Sequence, residues 1–280
     1  MDRIGLIGIG NIGRYFSRKL REANYPLTVR DIDQAKMEYA VDLGATAATS
    51  SGDVARASDI VILSLPGSHA VEAAMDGPDG ILAHLRPGRL VIDTGTSRPA
   101  TDVRYERLCA ANGAGFIDAP ITWRSSGLII MVGGSPVHYE RGRDVLTCLS
   151  YKLRHVGPIG HGQVLKLVNQ LILAGQLAVW AEAVEFATQS GIEPRLAKEF
   201  LEFPVPESVY GDEFSGGGTL ALHYKDLGYV LEVAHDTGAH VPVTNAVHEA
   251  FKAAKTAGDP LWGQPGIVTY WRRLNRERDE

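Results

Sequence analysis

The sequence predicts an α/β fold in two parts: an N-terminal doubly wound, mainly parallel sheet, and an all-α C-terminal domain joined to it by a long helix. Three observations carry this. Residues 1–159 alternate short buried-strand patterns with helical ones, as parallel sheets covered on both faces do. A proline-free stretch at 160–189, rich in Leu, Ala, Gln and Glu, reads as one helix. After it, no strand pattern returns. The boundaries expected are 1–159 for the sheet domain, 160–190 for the helix and 191–280 for the α domain.

The first unit reads strand, glycine turn, helix, strand. A strand at 3–7 runs into Gly8-Ile9-Gly10-Asn11-Ile12-Gly13, which matches GxGxxG. The next helix sets Ile12, Phe16 and Leu20 on one face, and a strand at 26–30 ends at Asp31. In a Rossmann-type unit, Gly8 permits the tight turn, Gly10 lets the backbone approach a pyrophosphate, and Gly13 lets helix pack close on strand. Asn11 and Ile12, at the helix start, offer unpaired N–H groups to the phosphates. Asp31 stands where a carboxylate accepts the ribose hydroxyls; its charge repels a 2′-phosphate, and Ile32 offers no cation to receive one. NAD is therefore expected, with NADP disfavoured.

The alternation continues through a strand at 59–64, the breaker Leu65-Pro66-Gly67 and a helix from Ser68. A strand at 88–93 then ends in Thr94-Gly95-Thr96, a helix starts at Pro99, and a strand follows at 115–118. Ligands of such sheets bind beyond the carboxyl ends of the strands, which puts Leu65, Pro66 and Thr96 at the cofactor; singly, each also reads as an ordinary turn residue. The segment 118–127 breaks the alternation. A buried strand ending in Gly133-Gly134, a helix over 136–149 and a strand near 153–156 complete the domain.

In the long helix the apolar residues Val164, Leu165, Leu167, Val168, Leu171, Ile172, Leu173, Leu177 and Val179 fall on several faces, which implies burial on most sides. Lys166, Asn169 and Gln170 interrupt them at i, i+3 and i+4 and so share a face. A lysine among buried neighbours is costly unless it is partnered or its proton is used. One reading is a lysine that snorkels from the helix end; the other is a catalytic ammonium with two amides that orient a substrate. Beyond it, Pro194 starts another helix, 204–206 and 216–218 are loops, and helices cover 219–237 and about 244–256. The mixed-charge tail 271–278 is expected to be solvated or in contact with another subunit.

Composition narrows the partners. A net charge of −5 gives no reason to expect nucleic acid or an anionic membrane. No apolar run is read as reaching bilayer length, and no secretion signal is read at the start. Two cysteines, Cys109 and Cys148, without CxxC or Cys/His spacing, suggest a reducing, cytoplasmic compartment and no metal.

Taken together, the motifs resemble the β-hydroxyacid dehydrogenase family, which includes 3-hydroxyisobutyrate dehydrogenase and tartronate semialdehyde reductase. The resemblance rests on 8–13, Leu65-Pro66, Asp93 with Thr96 and Pro99, Asp118-Ala119-Pro120, 130–134, Gly160-His161-Gly162 with 166–170, and Lys225-Asp226-Leu227. It implies an all-α domain that closes the site, Lys166 as the catalytic lysine and Lys225 near the nicotinamide. It also implies a small carboxylic acid as substrate and a homodimer or homotetramer. Gln170 stands where many members carry asparagine. The hydride would pass between the nicotinamide and the carbon bearing the substrate's hydroxyl or carbonyl. Lys166 would be proton donor and acceptor, its pKa lowered by burial and the nearby positive ring, and Asn169 and Gln170 would hold the substrate.

The departures bear on the substrate. After Asp118-Ala119-Pro120 the family has a hydrophobic residue, Ser, Gly and Gly; here stand Ile121, Thr122, Trp123 and Arg124. Thr122 keeps a hydroxyl, Arg124 can fork onto a carboxylate, and Trp123 would narrow the site. Alternatively, Trp123 and Arg124 point to solvent or to a partner subunit. Two rivals stand beside the dehydrogenase: an imine reductase, against which Lys166 argues, and a dinucleotide-binding sensor without catalysis, which the altered loop alone favours and the retained Lys166 and Lys225 oppose.

Overall fold

The computed structural model describes residues 1–215 and 217–276. Gly216 of the predicted loop, and Glu277 and Arg278 of the predicted tail, lie outside the described residues.

Nine strands form one sheet: β1 (Ile4–Ile7), β2 (Leu27–Arg30), β3 (Thr46–Ala47), β4 (Ile60–Leu63), β5 (Leu90–Asp93), β6 (Gly115–Asp118), β7 (Ile121–Arg124), β8 (Gly127–Gly133) and β9 (Lys152–Gly157). Their order is β3-β2-β1-β4-β5-β6-β8-β7, with β9 also on β8. Pairing is parallel from β3 to β6, antiparallel where β8 meets β6 and β7, and parallel again at β9. The order reverses between β1 and β4, and such a reversal opens a crevice at the strands' carboxyl ends.

Alternate strand residues feed two cores, as a sheet covered on both faces requires. Ile4, Leu6, Ile60, Ile62, Leu90 and Ile92 pack with Phe16 and Leu20 of α1 (Asn11–Glu22) and Leu146 and Leu149 of α6 (Pro136–Leu149). Ile7, Val61, Leu63 and Val91 pack on the other face, with α3 (Ser51–Ala57), α4 (Ser68–Met75) and α5 (Pro99–Ala111). Each fully buried aliphatic or Phe side chain contributes about 1.5–3 kcal/mol. Between these elements, α2 (Gln34–Asp42) follows β2.

The helix α7 (His161–Gln189) is continuous, and the chain divides on it into two compact units, Met1–Lys166 and Leu167–Glu280. In the second unit α7 packs with α9 (Leu220–Thr237), α10 (Pro242–Ala257) and α11 (Val268–Arg276) around Leu177, Leu227, Phe251 and Val268. Arg272 binds Glu185 at 3.0 Å and Asp212 at 2.7 Å and donates to the Val209 carbonyl at 3.2 Å. The expected helix after Pro194 is a single turn, α8 (Leu196–Glu199).

One expectation about α7 needs correction. It is not covered on most sides: Leu165, Val168, Ile172, Val179 and Phe186 are exposed. Their spacing of three, four and seven residues puts them on one stripe, so the apolar residues divide between a buried face and an open one. The helix is also long and apolar enough in composition to cross a membrane, although Lys166, Asn169, Gln170 and Gln176 interrupt its apolar residues. The core helix of a globular enzyme meets the same measure, and Glu185 on it is buried in its pair with Arg272.

Candidate active site

The glycine turn is built to approach a phosphate. Gly8 has φ +96°, and a Cβ there would lie 2.2 Å from the Ser64 carbonyl oxygen, so only glycine fits. A Cβ on Gly13 would lie 2.0 Å from the Gly8 carbonyl oxygen, which is the close helix-to-strand contact expected of it. At Gly10 nothing comes within 4 Å, so the backbone there is open. No side chain caps the start of α1, which leaves the N–H groups at Asn11, Ile12 and Gly13 for an anion. These features fit a dinucleotide pyrophosphate. Asp31, at the end of β2, is buried and accepts from Ile9 N at 2.6 Å and Asp33 N at 2.9 Å. It thereby ties the second strand to the glycine turn.

Leu65, Pro66 and Thr96 follow β4 and β5 on the same sheet edge. The segments touch: a Cβ on Gly95 would lie 2.5 Å from the Leu65 carbonyl oxygen. Asp93 holds the loop after β5, accepting from Gly95 N at 2.8 Å and Ser97 Oγ at 2.6 Å.

Asp118, at the end of β6, accepts from Gly160 N at 2.7 Å and Gln163 N at 2.8 Å, and so caps the start of α7. Burial pushes its carboxyl up to about 6, against the pull of those two N–H donors. Asp102 on α5 is also fully buried, and neither of its oxygens has a hydrogen-bond partner among the described residues. Burial and the nearby Asp93 and Asp118 carboxylates hold its carboxyl well above the usual range. One turn beyond Gln163 comes Lys166, 9% exposed. An open, solvated lysine is thus excluded.

In the second unit Asn169 Nδ2 donates to Gln170 Oε1 at 2.8 Å, and Gln170 Nε2 donates to Asp226 Oδ2 at 2.6 Å. Lys225 Nζ stands 3.0 Å from Asp226 Oδ1 and 4.9 Å from the centre of the Tyr229 ring. An ionised Asp226 can only accept, so it fixes which end of the Gln170 amide faces Asn169. Sequence reasoning quoted Asp226 in its motif and gave it no role. Asp93, Asp118 and Gln163 were likewise missed as site-building residues. A buried acid at a strand's carboxyl end, ahead of a helix start, was the available signal.

The segment 121–124 forms the edge strand β7 where the family places a glycine loop. Trp123 meets the Tyr15 ring edge-on, with centroids 5.2 Å apart, on the side of the strand that Ile121 shares. Arg124 donates to Thr122 Oγ1 at 3.0 Å and to the Trp123 carbonyl at 2.9 Å. Trp123 therefore covers α1, while Thr122 and Arg124 are joined on the opposite side of β7. Among the described residues, no cluster of His, Cys, Asp or Glu is arranged to hold a metal ion.

Comparison with known proteins agrees with this geometry. Residues 3–157 match the NAD binding domain of 6-phosphogluconate dehydrogenase, and residues 160–271 match the NAD-binding domain of NADP-dependent 3-hydroxyisobutyrate dehydrogenase. The chain is 31% identical to an NAD-dependent L-serine dehydrogenase of Pseudomonas aeruginosa, over 87% of this chain and 89% of that one. It is 28% identical to 2-(hydroxymethyl)glutarate dehydrogenase of Eubacterium barkeri, over 97% and 95%. The solved structure of Mycobacterium tuberculosis 3-hydroxyisobutyrate dehydrogenase with L-serine superposes with a TM-score of 0.86 at 26% identity, covering 97% of this chain and 99% of that one. The glycine turn, the sheet order and these matches agree, and the chain belongs to the β-hydroxyacid dehydrogenase family of NAD(P)-dependent oxidoreductases.

Proposed function

We propose that this protein interconverts a small 3-hydroxy acid and its semialdehyde with NAD(H), using Lys166 as general acid and base. The observation that carries this is a buried cation on a helix whose first turn is gripped from the sheet's carboxyl edge. The nicotinamide, when bound, gives or takes the hydride. In reduction Lys166 donates a proton to the substrate carbonyl oxygen; in oxidation it takes the hydroxyl proton. Asn169 and Gln170 hold the substrate oxygen and carboxylate, with Asp226 setting the orientation of the Gln170 amide. Thr122 and Arg124 fix the acid group. Lys225 serves the cofactor.

The substrate class draws on the names of the relatives: L-serine, 2-(hydroxymethyl)glutarate and 3-hydroxyisobutyrate each carry CH2OH on the carbon next to a carboxylate. Asp31 and the fully exposed Ile32 support NAD over NADP, since neither welcomes a 2′-phosphate. The exposed stripe of α7 supports assembly as a homodimer or homotetramer. Unpaired Cys109 and Cys148 suit the cytoplasm.

The test is a panel of short 3-hydroxy acids and semialdehydes assayed with NAD(H) and NADP(H). Turnover with at least one CH2OH-bearing acid, faster with NAD, is expected. Clear NADH binding without turnover of any member would leave only a nucleotide sensor.

A further inference from the structure

We propose that Gln163 is a positioning residue: its buried amide fixes the cofactor-side loop 94–97 to the turn of α7 that carries Lys166. The inference rests on the dehydrogenase reading above for what the loop and the lysine do. Its geometry lies wholly within the first unit.

Gln163 is fully buried. Its Oε1 accepts from Ser97 N at 3.1 Å and its Nε2 donates to the Gly95 carbonyl at 3.2 Å, so one side chain brackets Thr96 from both sides. A primary amide offers donor and acceptor together at that length without needing to titrate. Its backbone N–H is meanwhile held by Asp118. The other side of the loop is held from the sheet, by Asp93 and by Thr94, whose N and Oγ1 both donate to the Leu63 carbonyl. The loop abuts Leu65 so closely that Gly95 has no room for a side chain. A cofactor pressing on Leu65 or Thr96 therefore pushes on a loop that the Gln163 side chain links to α7. Gln163 and Lys166, at i and i+3, lie on one face of the helix. The amide thus sets the spacing between Thr96 and the lysine.

Gln163→Asn keeps both hydrogen-bonding groups but is one methylene too short to reach the loop; Gln163→Met keeps the length and loses both groups. Misplacing a reacting group by about 1 Å costs about 10²-fold in rate. In each folded variant kcat should fall by that order, with NADH affinity far less affected. The deuterium isotope effect from C4-labelled NADH should rise as hydride transfer becomes limiting. A readout that needs no substrate is hydrogen exchange: NADH should protect both 94–97 and 161–166 in the wild type, and only 94–97 in Gln163→Asn.

Unchanged kcat and isotope effect in folded Gln163→Asn, or NADH protection that still spreads to 161–166, would overturn the proposal. So would a loss of activity that follows the melting curve alone. If Gln163→Met does not fold, Gln163→Asn and the exchange experiment decide. An inactive wild type would count against the dehydrogenase reading, while the exchange result would still judge the coupling.

Discussion

Asp102 has no exposed surface; of its neighbours the Gln163 amide favours the charged form, while two carboxylates oppose it. Burial and those two carboxylates outweigh the amide and raise the Asp102 carboxyl well above the usual range. A carboxyl that is harder to ionise folded than unfolded makes the fold hold a proton that the unfolded chain releases. Stability is then full below the ordinary carboxylate range near 3.8 and is lost as pH rises through and above it. Asp102→Asn imitates the protonated form. It should melt about 2–4 °C above the wild type at pH 8, an effect of ~1 kcal/mol. The difference should vanish near pH 4. A variant that melts lower at pH 8 would show that the ionised carboxylate is needed. The sequence shows Asp102 only as one acid in a helix; its burial comes from the packing of α5 on β5 and β6, which periodicity does not reveal.

Among the elements, the glycine turn gives the sharpest separation of fold from function. Ala at position 10 meets no protein atom within 4 Å, and its backbone, at φ −72°, suits any residue. Gly10→Ala should therefore fold with an unchanged melting temperature. Its methyl group would stand where the pyrophosphate approaches, and NADH affinity should drop at least about tenfold, ~1.4 kcal/mol. Equal affinity by titration calorimetry would place the phosphate elsewhere. This turn was legible because its spacing is fixed by steric demands that only glycine meets. The long helix, α6 and the strands β4, β5 and β6 were legible for a related reason: each has a clear period or a buried run bounded by breakers. The segment from α2 through α3 was not, because β3 has two exposed residues and the intervening helices are short. The β7 segment was read as a break in the alternation because its strand character comes from pairing with β8, with Trp123 seated on Tyr15. The shared helix face of Lys166, Asn169 and Gln170 was legible from their spacing; the pairing of Gln170 with Asp226, 56 residues away, was not.

For the whole molecule, α7 carries two features that matter: an open apolar stripe and the buried Lys166. Leu165, Ile172, Val179 and Phe186 recur every seven residues along one side of α7, the repeat that lets helices pair. If a second copy covers that side, Val179→Glu should shift the protein to monomers in light scattering while its far-UV circular dichroism stays the same. A wild type already monomeric at high concentration would dismiss the assembly. Lys166 carries the proposed proton transfer, and one paired measurement on Lys166→Ala tests it: kcat beside NADH affinity. Removing a general acid and base should lower kcat by about 10²–10⁴-fold, with NADH binding within a few-fold of wild type. If turnover and NADH binding fell together, or turnover survived, the lysine would be a structural cation and the proton would have to come from elsewhere.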